Sequence, residues 1–268
     1  MKKFGFLFLI LSLIAMVIAS KKESDPIRNS RNSDTTCETK WLEIPLFTLD
    51  TNEQIIKHSA YTLSYNKQNN EPNWVAWQLT DKETEGVKPR KNNFLPDPSI
   101  AEPYQVIWKD YAHSGFDRGH MAPSADMKFN EQAMEECFYM SNVCPQNAKL
   151  NQNSWKTLEN ACRRWAKTEN NIYIVCGPLF FKSPRTYIGK YHPIAVPEAF
   201  FKVILSTQKG KEKAIGFIYK NIKNKQPMQE AVRSVDQVEQ ITKMNFFSLL
   251  PDALESKIEA TSDLKKWH

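Results

Sequence analysis

The sequence is poor in long apolar runs, in cysteine and in repetition. Its most apolar stretch, Phe4 to Ala19, falls short of the roughly 20 residues that a membrane helix needs. No internal repeat recurs and no second domain boundary follows residue 45, which sets aside an array of modules. Five cysteines occur in 268 residues. Cys137 and Cys144 with His113 match no common zinc spacing, so a zinc site built from them is set aside. No cysteine adjoins the apolar run, and nothing there points to a lipid-modified N-terminus. Acidic residues do not dominate. Lys and Arg number 36 against 30 Asp and Glu, and the net charge of +6 suits a polyanionic partner.

Hydrophobic residues make up 41% of the chain and charged residues 25%, the balance of a folded protein rather than a disordered one. Lys2 and Lys3 precede the apolar run, and a polar stretch from Ser20 to Asp25 follows it. That order predicts a signal peptide over residues 1–20 and a secreted or periplasmic protein. An uncleaved N-terminal anchor is the alternative. Residues 21–44 read as a polar tether and residues 45–268 as the folded domain. Cys37, Cys137, Cys144, Cys162 and Cys176 all lie beyond residue 20. Export would permit disulfides, and the odd count leaves at least one thiol without a partner in the chain.

Strand-like segments recur along the domain: Tyr61–Tyr65, Trp74–Leu79, Ile172–Pro178, Ala199–Leu205 and Lys213–Tyr219. The polar stretch from Asn66 to Asn73 predicts a hairpin with a long loop, and residues 81–103 predict a long surface loop. Trp155, Leu158, Cys162 and Trp165 form one apolar stripe of a helix over Asn151–Lys167, with Asn151 as its cap. Residues 234–266 are helical in patches, anchored by Phe246 and Phe247. Interspersed strands and helices predict an α+β domain.

Chemistry concentrates in Asp117-Arg118-Gly119-His120. An imidazole can take a proton near neutral pH, and a guanidinium can grip a phosphate through two hydrogen bonds. Alone, His120 reads as well as a hydrogen-bonded histidine near a turn. Its company changes the balance. An amide-rich segment follows, with Asn142, Gln146, Asn151 and Gln152, any of which offers a carbonyl oxygen to a hard cation. Glu159 and Arg163 stand one turn apart on the predicted helix. Lys149, Lys156, Arg164 and Lys167 are either contacts to a polyanion or a solvated helix face.

This ordered set resembles the DNA/RNA non-specific endonuclease family, whose members share the ββα-metal, or His-Me finger, site. Asp117 to His120, Ser141-Asn142, Pro145-Gln146, Leu150-Asn151-Gln152, Trp155 and Leu158-Glu159 carry the likeness, which runs from about Pro45 to Trp267. The resemblance implies a mainly antiparallel mixed sheet flanked by helices. It also implies an endonuclease that cuts DNA and RNA with Mg²⁺, or Mn²⁺ or another divalent cation, and leaves 5′-phosphate ends. By the same resemblance His120 is the general base and Asn151 the direct metal ligand. Glu159 holds the metal's water, Arg118 and Arg163 contact phosphate, and Asn142 and Gln146 support the site. A homodimer is implied too, with no membrane partner beyond the anchor. Cys144 departs from the small hydroxyl or aliphatic residue expected there. Two rivals stand beside this reading: a nucleic-acid-binding module without activity, and a phosphodiesterase acting on small diesters.

Overall fold

Apolar side chains that alternate between two faces, with neither face left polar, force a strand to be covered on both sides. Ile172, Ile174 and Cys176 pack into one buried cluster, while Tyr173 and Val175 pack into another. The computed structural model describes residues 41–47 and 53–267 and shows how this double coverage is met. The strands in chain order are β1 (Leu46–Phe47), β2 (Glu53–Lys57), β3 (Thr62–Asn66), β4 (Glu71–Thr80), β5 (Asp117–His120), β6 (Val143–Gln146), β7 (Asn171–Leu179), β8 (Tyr187–Ile188), β9 (Ile194–Ala195), β10 (Ala199–Ser206), β11 (Lys213–Lys220), β12 (Val232–Arg233) and β13 (Met244–Asn245). The α-helices are α1 (Asp81–Thr84), α2 (Glu131–Glu136), α3 (Lys156–Glu169), α4 (Met228–Ala231), α5 (Val235–Thr242) and α6 (Asp252–Glu259).

Seven strands form the central sheet in the order β12-β11-β10-β7-β4-β3-β2. Every pairing in it is antiparallel, so the α+β expectation holds. One face carries Trp77, Ile174, Phe200, Ile204 and Phe217 against the α3 stripe of Leu158, Cys162 and Trp165. The other carries Trp74, Val175, Phe201 and Val203 against Val235 and Val238 of α5, Ile258 of α6, and Phe246 and Phe247. Each such large side chain contributes about 1.5–3 kcal/mol by leaving water. Among the described residues, no helix is long and apolar enough to cross a membrane. The four described cysteines, Cys137, Cys144, Cys162 and Cys176, are free and buried. Burial pushes the thiols of Cys137, Cys162 and Cys176 up to about 12.

Three local expectations need correction. The hairpin of β3 and β4 has no long loop, because Asn66 already pairs with Glu71. The Asn66 side chain accepts from the amides of Gln68 and Asn69 and so holds a tight turn. Residues 81–103 begin as helix α1, capped by Thr80 and Glu83 in a reciprocal box. That segment also turns inward, where Leu95 exchanges backbone bonds with Phe138 and Met140. Finally, Asn151 is not the helix cap. Residues Leu150–Trp155 form one π-helical turn, and α3 proper starts at Lys156.

Candidate active site

The functional segment folds as two short strands and a helix. Strand β5 pairs antiparallel with β6, bringing Asp117 opposite Gln146, Gly119 opposite Cys144 and His120 opposite Val143. A side chain at Gly119 would crowd the strand opposite, since its Cβ would lie 2.7 Å from Gln146 Cβ. The π-helical turn then leads into α3. Trp155 Nε1 donates to the carbonyl of His120 at 3.3 Å and ties helix to strand.

His120 is 8% exposed, and its Nε2 is sealed from solvent without a hydrogen-bond partner. The imidazole lies between two phenyl rings, Phe94 at 5.2 Å and Phe138 at 4.9 Å. Each ring carries a guanidinium on its face: Arg118 over Phe94 at 4.3 Å and Arg90 over Phe138 at 5.1 Å. Burial, then the charges of Arg90 and Arg118, push the His120 pKa down to about 3. The ring is therefore neutral throughout the physiological range.

The Asn151 Nδ2 donates to Asp117 Oδ2 at 2.9 Å, and Gln152 Nε2 donates to the same oxygen at 2.9 Å. Asp117 thus orients both amides and takes no other part that the geometry reveals. Glu159 sits one turn into α3 and is half-buried. Burial pushes its carboxyl up to about 7, with Asp126 adding to the rise and Lys202, Arg163 and Arg90 opposing it. Arg163 Nη1 donates to Asp126 Oδ1 at 2.7 Å, and its Nη2 donates to Asn160. Asp126, 1% exposed, also accepts from Trp77 Nε1 at 3.2 Å.

Asn142 braces the backbone around the motif. It is fully buried, with Oδ1 accepting from the Ala122 amide and Nδ2 donating to the carbonyls of Ala122 and Cys137, all at 2.9 Å. No polar atom of its side chain is left for a substrate. Gln146 is likewise buried, and it packs against Gly119. Lys149, Lys156 and Lys167 are exposed. Arg164 lies about 140° round α3 from Glu159, where it lines a separate shallow cavity with Tyr219 and Lys225. It is not brought to this site.

Several residues of the site escaped sequence reading, among them Arg90, Phe94 and Lys202. Arg90 and Phe94 come from the charge- and Pro-rich segment before the motif, and no spacing links them to His120. Lys202 lies in the middle of β10 and is 0% exposed. Its ammonium has no hydrogen-bond partner and rests against the rings of Trp77 at 4.9 Å and Trp155 at 4.6 Å. Burial opposes its charge, yet its pKa is raised because Cys176, Cys162, Glu159 and Asp126 face it. The thiols are neutral, so the two carboxyl groups are the counter-charges.

Residues 39–253 match the family description "DNA/RNA non-specific endonuclease". Nuclease C1 of Cunninghamella echinulata var. echinulata is 34% identical over 75% of this chain and 85% of its own length. The mitochondrial nuclease EXOG of Danio rerio is 36% identical over 72% of this chain, which spans 60% of that relative. Among solved structures, a chain in the complex of EndoG with EndoGI superposes with a TM-score of 0.69 at 31% identity. The superposition covers 74% of this chain and 86% of that one. These relatives overturn the expectation of a secreted or periplasmic protein. The Danio rerio nuclease and others from human and two yeasts are named mitochondrial. Residues 1–20, on which that expectation rested, lie outside the described residues. With a family description that spans most of the sequence and a relative matched over most of both chains, the protein belongs to the DNA/RNA non-specific endonuclease family.

Proposed function

We propose that this nuclease is a metal-dependent endonuclease cutting DNA and RNA without regard to sugar or sequence and leaving 5′-phosphate ends. One observation carries the reading: a neutral, buried imidazole with arginines on both sides, joined by a pair of short antiparallel strands to a helix that presents an oxygen donor and a carboxyl group. Nε2 of His120 is sealed, which leaves Nδ1 as the nitrogen that meets a water. Nδ1 takes the proton, the water oxygen attacks phosphorus, and the bond from phosphorus to the 3′ oxygen breaks. Arg118 and Arg90 hold the phosphate oxygens. Arg163, engaged on both terminal nitrogens, acts through its charge and by fixing Asp126.

The donor set suits a hard cation. Asp117 occupies the Nδ2 of Asn151, so the oxygen end of that amide is the one available as a ligand. Glu159 stands by to hold metal-bound water. Asn151 and Glu159 would hold a divalent cation there, Mg²⁺ foremost and Mn²⁺ as substitute, and its charge would favour the build-up of negative charge during cleavage. Nothing in this set reads a base edge, and contacts to phosphate carry no sequence information.

The test is incubation of the purified chain with plasmid DNA and with RNA, in Mg²⁺ or in chelator. Cleavage of both polymers in Mg²⁺ alone, with ends that a 5′-phosphatase converts, is the expected result. The logarithm of binding should fall linearly with that of salt. A gel shift without cleavage points instead to a binding module. Hydrolysis of small diesters only points to the phosphodiesterase reading.

A further inference from the structure

A second group of acidic side chains lies apart from the nuclease site, where α5 meets α6. Asp236 and Glu239, three residues apart, share one face of α5. Glu259, the last residue of α6, comes from another element to meet them. One carboxylate oxygen from each of the three lies within 4.8 Å of the others. Exposed acidic pairs at a helix start are commonplace, and Asp236 with Glu239 alone would mean nothing. Glu259 is the independent observation. It is 2% exposed, and its Oε1 is buried with no hydrogen-bond partner. A carboxylate placed in the interior without a donor is costly unless something positive reaches it. The charged neighbours acting on it are Glu239, Glu255 and Asp236, which are all acidic.

We propose that Asp236, Glu239 and Glu259 bind a calcium ion that clips the C-terminal helix α6 to α5. Calcium accepts six to eight oxygens at about 2.3–2.6 Å, so two of its ligands can stand up to ~5 Å apart, and the three oxygens are close enough together to share one ion. Magnesium prefers to keep its waters and takes one or two carboxylates, which makes it the poorer match for three. Glu239 keeps one oxygen on the Phe246 amide at 2.7 Å and turns the rest of its carboxylate to the ion. Hydrophobic contacts already bring the two helices to the same face of the sheet, through Val235 and Val238 of α5 and Ile258 of α6. The ion adds a polar tie at the end of that contact. The competing occupant is a proton shared among the carboxyl groups, and the two differ in what calcium does.

The experiment is thermal unfolding of the full chain, stripped of metal and titrated with CaCl₂ near neutral pH, alongside calorimetric titration with CaCl₂. The melting temperature of the wild type should rise with calcium, as for any ligand of the folded state. Asp236→Asn, at a half-buried position that folds without strain, should weaken calcium binding by at least about tenfold, because ligand charge sets affinity in such sites. Glu259→Gln should abolish the response. Asn151→Ala, altered at the nuclease site, should keep it. An equal calcium response in Asp236→Asn and wild type would overturn the proposal, as would loss of the response in Asn151→Ala. Indifference of the wild type to calcium, with Glu259→Gln more stable than wild type, would assign the cluster to a shared proton.

Discussion

Replacing His120 by Ala lowers cleavage of plasmid DNA by an expected factor of about 10²–10⁴, the range that a positioned general base contributes. The protein stays folded, since the backbone tie from Trp155 to residue 120 does not involve the ring. A second consequence concerns acid stability. The folded-state pKa of His120 is about 3 against the ordinary 6.5. Between these values the unfolded chain holds a proton that the folded chain refuses. Stability therefore falls as pH drops from about 6.5 towards 3, with a slope of about 1.4 kcal/mol per pH unit from this group. His120→Ala removes that slope and leaves a constant offset from the lost packing. Urea unfolding from neutral to acid pH should thus show the two stabilities converging as pH falls. Parallel curves would show that His120 is not held neutral by its surroundings. Cleavage at the wild-type rate would remove it from the chemistry.

Replacing Lys202 by Met is the second large effect. The ammonium is buried between Trp77 and Trp155 and is the interior counter-charge of Glu159 and Asp126. Methionine fills much the same volume, so the cost falls on the charges left behind. Removing one partner of a buried charged group costs about 3–5 kcal/mol. The two carboxyls recover part of this by holding protons more tightly. Their folded pKa values are already raised by burial, and they rise further in the variant. In that condition the folded state binds more protons than the unfolded state, and stability declines as pH rises through the carboxylate range to neutrality. The gap between wild type and Lys202→Met is therefore widest near neutral pH and narrows in acid. A gap of the same size at every pH would mean that Lys202 only packs. Activity should fall with it, because a protonated Glu159 no longer serves a cation site.

How far the sequence disclosed these features depended on the range of the interaction. The strands at Ile172–Pro178, Ala199–Leu205 and Lys213–Tyr219 were legible because their side chains are apolar on both faces, a property of consecutive residues. So was the stripe of Trp155, Leu158, Cys162 and Trp165, which depends only on helical period. The order of the seven strands was not, because it is set by pairings such as Val75 with Cys176 across a long stretch of chain. Asn142 showed its presence but not its work. An amide spent on three backbone bonds looks the same in sequence as one aimed at a phosphate. Lys202 was hidden most completely. It stands in the apolar run Phe200-Phe201-Lys202-Val203, where period-2 reasoning treats a lysine as a blemish, and only the fold reveals the carboxyls facing it.

The π-helical turn at Leu150–Trp155 carries one residue more than an α-helical path would need. Deleting that residue would let α3 run straight back to residue 150. With the sheet and α3 held by their packing, the residues of the turn before the deletion would shift by about 100° round the helix axis. Asn151 would swing away from Asp117, while Leu158, Cys162 and Trp165 would keep their places against the sheet. The loss of one residue would thus undo the contact between Asn151 and Asp117 while the hydrophobic packing of α3 on the sheet stayed in place.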